Sequence, residues 1–147
     1  MKRLLIATVA WAALAGGALA QESDLRASIQ ADYDNHLGSL WDWFHRNPEL
    51  SGLEVNTAAR MATELRALGY EVTEGVGGTG VVALLRNGDG PTVLMRADMD
   101  GLPVEERSGL ANASTARQVD RDGQERPVMH ACGHDVHITA LVGAARQ

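Results

Sequence analysis

Residues 70–98 read YEVTEGVGGTGVVALLRNGDGPTVLMRAD, and the fold class turns on whether the glycine run in this stretch opens a helix or a strand. Gly75-Val76-Gly77-Gly78-Thr79-Gly80 satisfies G-x-G-x-x-G. In a dinucleotide site that pattern follows a strand and starts a helix, whose amides meet a pyrophosphate. Here it is followed by Val81-Val82-Ala83-Leu84-Leu85, which lacks helical periodicity. The run therefore reads as a flexible turn entering a strand. Tyr70 and Val72 begin a short strand, and GVVALLR (80–86) and TVLMRAD (92–98) are two more. Asn87-Gly88-Asp89-Gly90-Pro91 is a turn signal, so the last two are expected to pair as an antiparallel hairpin.

Outward from this stretch the texture is helical. Leu25, Ile29, Leu37, Leu40, Trp41 and Phe44 recur at helical spacing from Glu22 to Phe44, and Pro48 pushes Asn47 away from helical angles. A second helix carries Leu53, Ala58, Met61, Leu65 and Leu68 on one face and ends at Gly69, where a left-handed residue is wanted. Residues 105–127 are polar and read as a long surface loop. Helical character resumes from about Asp135. This order of elements predicts an α/β layered domain. Three strands and two full helices make a thin core for that class, so the chain reads as the front part of something longer.

The 147 residues fit one domain, less a leader. Lys2-Arg3, an apolar run from Leu4 and Ala18-Leu19-Ala20 have the order of a secretory signal peptide. Residues 1–20 are expected to be removed, leaving 21–147 periplasmic or secreted with no membrane span. That mature chain has 11 basic and 19 acidic residues, a net charge of −8. Nucleic acid demands clustered Lys and Arg, so it is excluded as a partner. With one cysteine, no internal disulfide can form.

Two stretches can carry chemistry. Asp98 and Asp100 end an apolar strand two residues apart, so extended backbone points both to one face. They can bind a metal, orient a histidine or act as acid and base; the alternative is a solvated turn at Asp100-Gly101. HACGHDVH (130–137) gathers three histidines, the single cysteine and an aspartate. In extended backbone His130, Cys132 and His134 share a face, and thiolate with imidazole suits zinc and its neighbours. Gly133 relieves crowding between Cys132 and His134, Asp135 can cap the following helix, and His137 falls one turn into it, outside the ligand ring. Two other readings stay open: Cys132 as a small buried hydrophobe, and Cys132 as a nucleophile with His134 as base.

Three blocks, FHRNPELSGLEVNTA (44–58), residues 65–110 and VMHACGHDVHITALVGAA (128–145), together resemble the N-terminal part of the metal-dependent amidohydrolases related to aminoacylase and carboxypeptidase. The nearest branch is that of hippurate hydrolase and the indole-acetyl-amino-acid hydrolases. The resemblance implies an α/β catalytic domain of zinc-exopeptidase type, helices packed on a mixed sheet, here truncated before a small lid or dimerisation domain. It implies hydrolysis of an N-acyl amino acid or small peptide by water activated on two divalent ions, zinc or manganese, with cobalt or nickel as substitutes. Cys132 and His134 would be metal ligands and Asp100 the catalytic acid that orients the site. Asp98 stands where relatives outside this branch place a ligand histidine; it and His137 would support the ligands from outside. A full-length homodimer is implied as well. The family's general-base glutamate lies downstream of the Cys-x-His segment, yet no Glu follows Glu125 and no His follows His137. The expectation is half a site, inactive alone. A short exported metal-binding protein without catalysis, or a thiol protein using Cys132, are the alternatives.

Overall fold

The computed structural model describes Glu22 and residues 24–147; the expected signal peptide, residues 1–20, lies outside them. Residues 24–32 are helical and pass through one π turn, Tyr33–Leu37, into helix α1, Gly38–Arg46. Helix α2 is Val55–Ala67, strands β1 and β2 are Glu71–Val76 and Gly80–Leu84, strands β3 and β4 are Arg117–Val119 and Glu125–Pro127, and helix α3 is His134–Arg146. The core is a seam between the three helices and the preceding π turn. Leu37, Leu40, Phe44, Met61, Leu65, Ile138 and Val142 meet there, with Tyr70, Val72, Val81 and Ala83 packed against them. Burying such side chains is the main driving force for the fold.

Helix α2 is fixed at both ends by its own sequence. Its first amides have no partner inside the helix. The buried carboxylate of Glu49 accepts from the Asn56 and Thr57 amides at 3.1 and 2.7 Å. At the other end Gly69 takes φ +86°; its amide donates to the Arg66 carbonyl and that of Tyr70 to Leu65, which closes the helix on a left-handed residue as expected. A second tie runs across the helices. His36 Nε2 and Arg60 Nε reach the two oxygens of Glu64 at 2.7 and 2.9 Å, while the Arg60 guanidinium lies 5.2 Å over the Trp43 ring.

The α/β class holds, as helices with small sheets, but strand partners differ from expectation. β2 pairs antiparallel with β1, from Glu71 opposite Leu84 to Val76 opposite Gly80, so the glycine run is a hairpin turn with an irregularity at Glu74–Val76. The dinucleotide pattern is thus explained by Gly77 and Gly78 at positive φ. Residues 92–98 do not pair with β2. They form no ladder among the described residues, and Val93 and Leu94 are 81% and 88% exposed. Sequence pattern reports a tendency toward extended backbone, whereas a strand also needs a neighbour to take its amides and carbonyls. The polar stretch 105–127 is not all loop either: β3 and β4 form a hairpin, closed by Asp120, which accepts from the Asp122 and Gln124 amides.

Candidate metal centre

Two chain segments build the site, and Gly101 sets their approach. Leu50 and Gly101 form a parallel bridge, Leu102 and Met129 an antiparallel one, so residue 101 lies between the 48–50 segment and the approach to α3. A Cβ on Gly101 would come within 2.8 Å of Val128 Cγ1 and 3.0 Å of Pro48 Cβ. Only a residue without a side chain fits there. The preceding residues, Asp98 and Asp100, are carried to the start of α3.

Both aspartates reach one imidazole. His134 Nδ1 lies 3.0 Å from Asp100 Oδ1 and 2.9 Å from the Asp100 carbonyl, while Nε2 is 3.8 Å from Asp98 Oδ2. A histidine whose Nδ1–H is held by an oxygen presents Nε2 as a lone-pair donor, the arrangement that orients metal-binding imidazoles. The His137 ring sits 5.4 Å from that of His134, centroid to centroid. One donor atom each from Asp98, His134 and His137 lie within 4.8 Å of one another. Arg96 also pairs with Asp98. An open groove of about 440 Å³ borders the cluster, walled by Met95, Ala97, Asp98, His137 and Leu141.

The other expected residues fall as follows. Cys132 is exposed and is not in this donor group; it is not the buried small hydrophobe considered above. Residues 131–132 form a turn, in which the Gly133 amide donates to the His130 carbonyl, so the shared face expected of extended backbone does not apply. Gly133 does not relieve crowding, because a Cβ there would meet nothing within 4 Å; it supplies φ +74° at the position before α3. Asp135 does not cap α3. It is buried and its Oδ2 accepts from Trp41 Nε1 at 2.9 Å and faces His45 Nδ1 at 2.8 Å. His130 is buried and, among the described residues, neither ring nitrogen has a hydrogen-bond partner; that burial pushes its imidazole below the usual histidine range.

Sequence reasoning missed His45 and Glu106. Glu106 belongs to the Glu105-Glu106 pair read as loop, yet its side chain is buried and accepts from Ser108 Oγ and the Ser114 amide, both at 2.6 Å. Burial opposes its ionisation, but these donors and His45 outweigh it and hold the carboxyl below its ordinary value. No local signal could have found this, because its partner His45 is 61 residues away.

Known proteins resemble this chain in sequence and in fold. Residues 94–147 match the model of peptidase family M20/M25/M40. The chain is 45% identical over 120 residues to thermostable carboxypeptidase 2 of Saccharolobus solfataricus, covering 76% of this chain and 28% of that protein. It is 44% identical over 103 residues to the hippurate hydrolase of Campylobacter jejuni, covering 69% and 24%. The crystal structure of the Bacillus subtilis YXEP protein, described as a dinuclear metal binding peptidase from the M20 family, matches with a TM-score of 0.66 at 32% identity, over 79% of this chain and 30% of that one. The chain therefore spans less than a third of the length of these relatives. By motif, sequence and fold together, the chain resembles the N-terminal part of members of peptidase family M20/M25/M40, with residues 94–147 matching the family directly.

Proposed function

We propose that this chain supplies one wall of the metal site of a hydrolase that cleaves amide bonds in N-acyl amino acids or small peptides. The observation that carries the reading is the convergence of Asp98, His134 and His137 within 4.8 Å, with His134 held at Nδ1 by Asp100. Two imidazoles and a carboxylate form a donor set suited to zinc, manganese or cobalt. Bound divalent ions supply polarisation of the amide carbonyl and activation of water. The residues do the rest: Asp100 fixes the tautomer and direction of the His134 ring, and Asp98 brings negative charge to the same spot. Three donors suffice for one ion, and a second ion calls for donors outside this cluster. Cys132, two residues before His134, is proposed as a ligand entering from the exposed rim.

Cobalt substitution tests the donor set. Tetrahedral or five-coordinate cobalt with histidine ligands gives visible d–d bands, and a thiolate adds a charge-transfer band in the near ultraviolet. His134→Ala is expected to abolish the d–d bands and Cys132→Ala to remove only the charge-transfer band. Persistence of the full visible spectrum in His134→Ala would refute the assignment of His134. Export is also proposed, on the Lys2-Arg3, apolar and Ala18-Leu19-Ala20 order, as is a homodimer of the full-length form.

A further inference from the structure

His45 sits in the last turn of α1 with both ring nitrogens against carboxylates from distant parts of the chain. Nδ1 is 2.8 Å from Asp135 Oδ2, 90 residues on, and Nε2 is 3.3 Å from Glu106 Oε1. The three side chains are 12%, 4% and 2% exposed. Charged groups sealed this way are costly unless their hydrogen bonds are satisfied, and a ring with hydrogen on both nitrogens satisfies both carboxylates at once. Trp41, one turn earlier, adds its Nε1–H to the same Asp135 oxygen.

The two carboxylates lead to the two things that fix His134. Asp135 is its chain neighbour, in the first turn of α3, a helix that begins at a left-handed glycine without a side-chain cap. Glu106 ends the segment that runs on from Asp100, which holds His134 Nδ1, and Glu106 anchors that segment by accepting from the Ser114 amide. We infer that His45 is a positioning residue for the metal centre: it clamps the start of α3 and the Asp100 segment to α1, and so sets the direction of the His134 ring. Its consequence for metal affinity rests on the function proposed above; its consequence for the ring does not.

The test uses the full 147-residue chain and two readouts, the ring ¹⁵N signals of His134 and His137 without metal, and cobalt affinity. His45→Phe keeps the ring volume and removes both contacts. It is expected to move the His134 signals and to weaken cobalt about ten- to a hundredfold, as loss of a ligand-orienting partner does. His36→Phe, which breaks a histidine–carboxylate contact remote from the site, at Glu64, is expected to lower stability while leaving both readouts unchanged. His45→Gln, whose amide can still donate to Asp135, is expected to recover part of both. Unchanged His134 signals in a folded His45→Phe would overturn the inference. If His45→Phe fails to fold, His45→Gln decides: moved signals support the clamp, and unmoved signals overturn it. Collapse of both variants would make His45 a support of the whole fold and overturn a role confined to the site. Should the wild-type chain bind no cobalt, the metal reading fails while the metal-free ring signals still decide this one.

Discussion

At Gly133 a single backbone angle separates the turn from the helix that bears both site histidines. Its φ of +74° is a conformation that side chains disfavour by about 1–2 kcal/mol, and nothing crowds the position. Gly133→Ala is therefore expected to lower stability by about 1–2 kcal/mol, read by denaturant titration, and Gly133→Asn by less, since Asn tolerates that region. Gly101 is glycine for the other reason. Its φ is ordinary, but Val128 and Pro48 leave no room. Gly101→Val is expected to cost about 1–3 kcal/mol by overpacking and to displace Asp100 from His134, seen as a change in the His134 ring signals. Spacing in the sequence singled out Asp98 and Asp100, because a two-residue step along extended chain is a local property, whereas the choice of His134 rests on an extended face that the turn at residues 131–132 does not give. Spacing could not reveal Asp135 as the acceptor for Trp41 and His45, since a contact across 90 residues leaves no trace in it.

At the scale of elements, the helices were legible and the strand partners were not. α2 announces itself by periodicity and by Gly69, and the structure adds only Glu49 as its distant N-terminal acceptor. Glu49→Ala is expected to destabilise by about 1 kcal/mol or more, the usual scale for a lost cap, with a matching loss of helical signal on mild heating. Residues 92–98 show the opposite case. Their apolar run predicts a strand, but a ladder needs a neighbour in register, and among the described residues β2 pairs with β1 alone. The tie between the π turn and α2 through His36 and Glu64 is pH-sensitive. Burial would raise the Glu64 carboxyl, but hydrogen bonds from His36 and Arg60 outweigh it and hold the group below its ordinary value. A carboxyl lowered on folding stabilises the protein above its unfolded range, about pH 4.3, and that contribution disappears as pH falls through the folded value. Wild-type stability is expected to fall from about pH 5 downward more steeply than that of Glu64→Gln, as measured by denaturant midpoints across that range.

For the molecule as a whole, the fold and the site agree on one reading. Three helices bury a common seam, and the wall they support brings two histidines and an aspartate to one point beside an open groove. The α/β class and the hydrolase family were legible because three collinear sequence blocks carry them. The donor group was only partly legible: spacing singled out Asp98, but its convergence with His134 and His137 depends on how residues 95–98 lie beside α3, which no local pattern encodes. The leader belongs to this scale too. If residues 1–20 direct export, N-terminal sequencing of protein recovered outside the cytoplasm should begin at Gln21, and a start at Met1 would contradict export with cleavage.

The central claim is that this wall holds an ion through His134. The most direct measurement is elemental analysis of the purified chain after dialysis against zinc and removal of free metal. We expect about one equivalent of zinc in the wild type, as three convergent donors allow, and none in His134→Ala. Equal zinc in both proteins, or none in either, would contradict it.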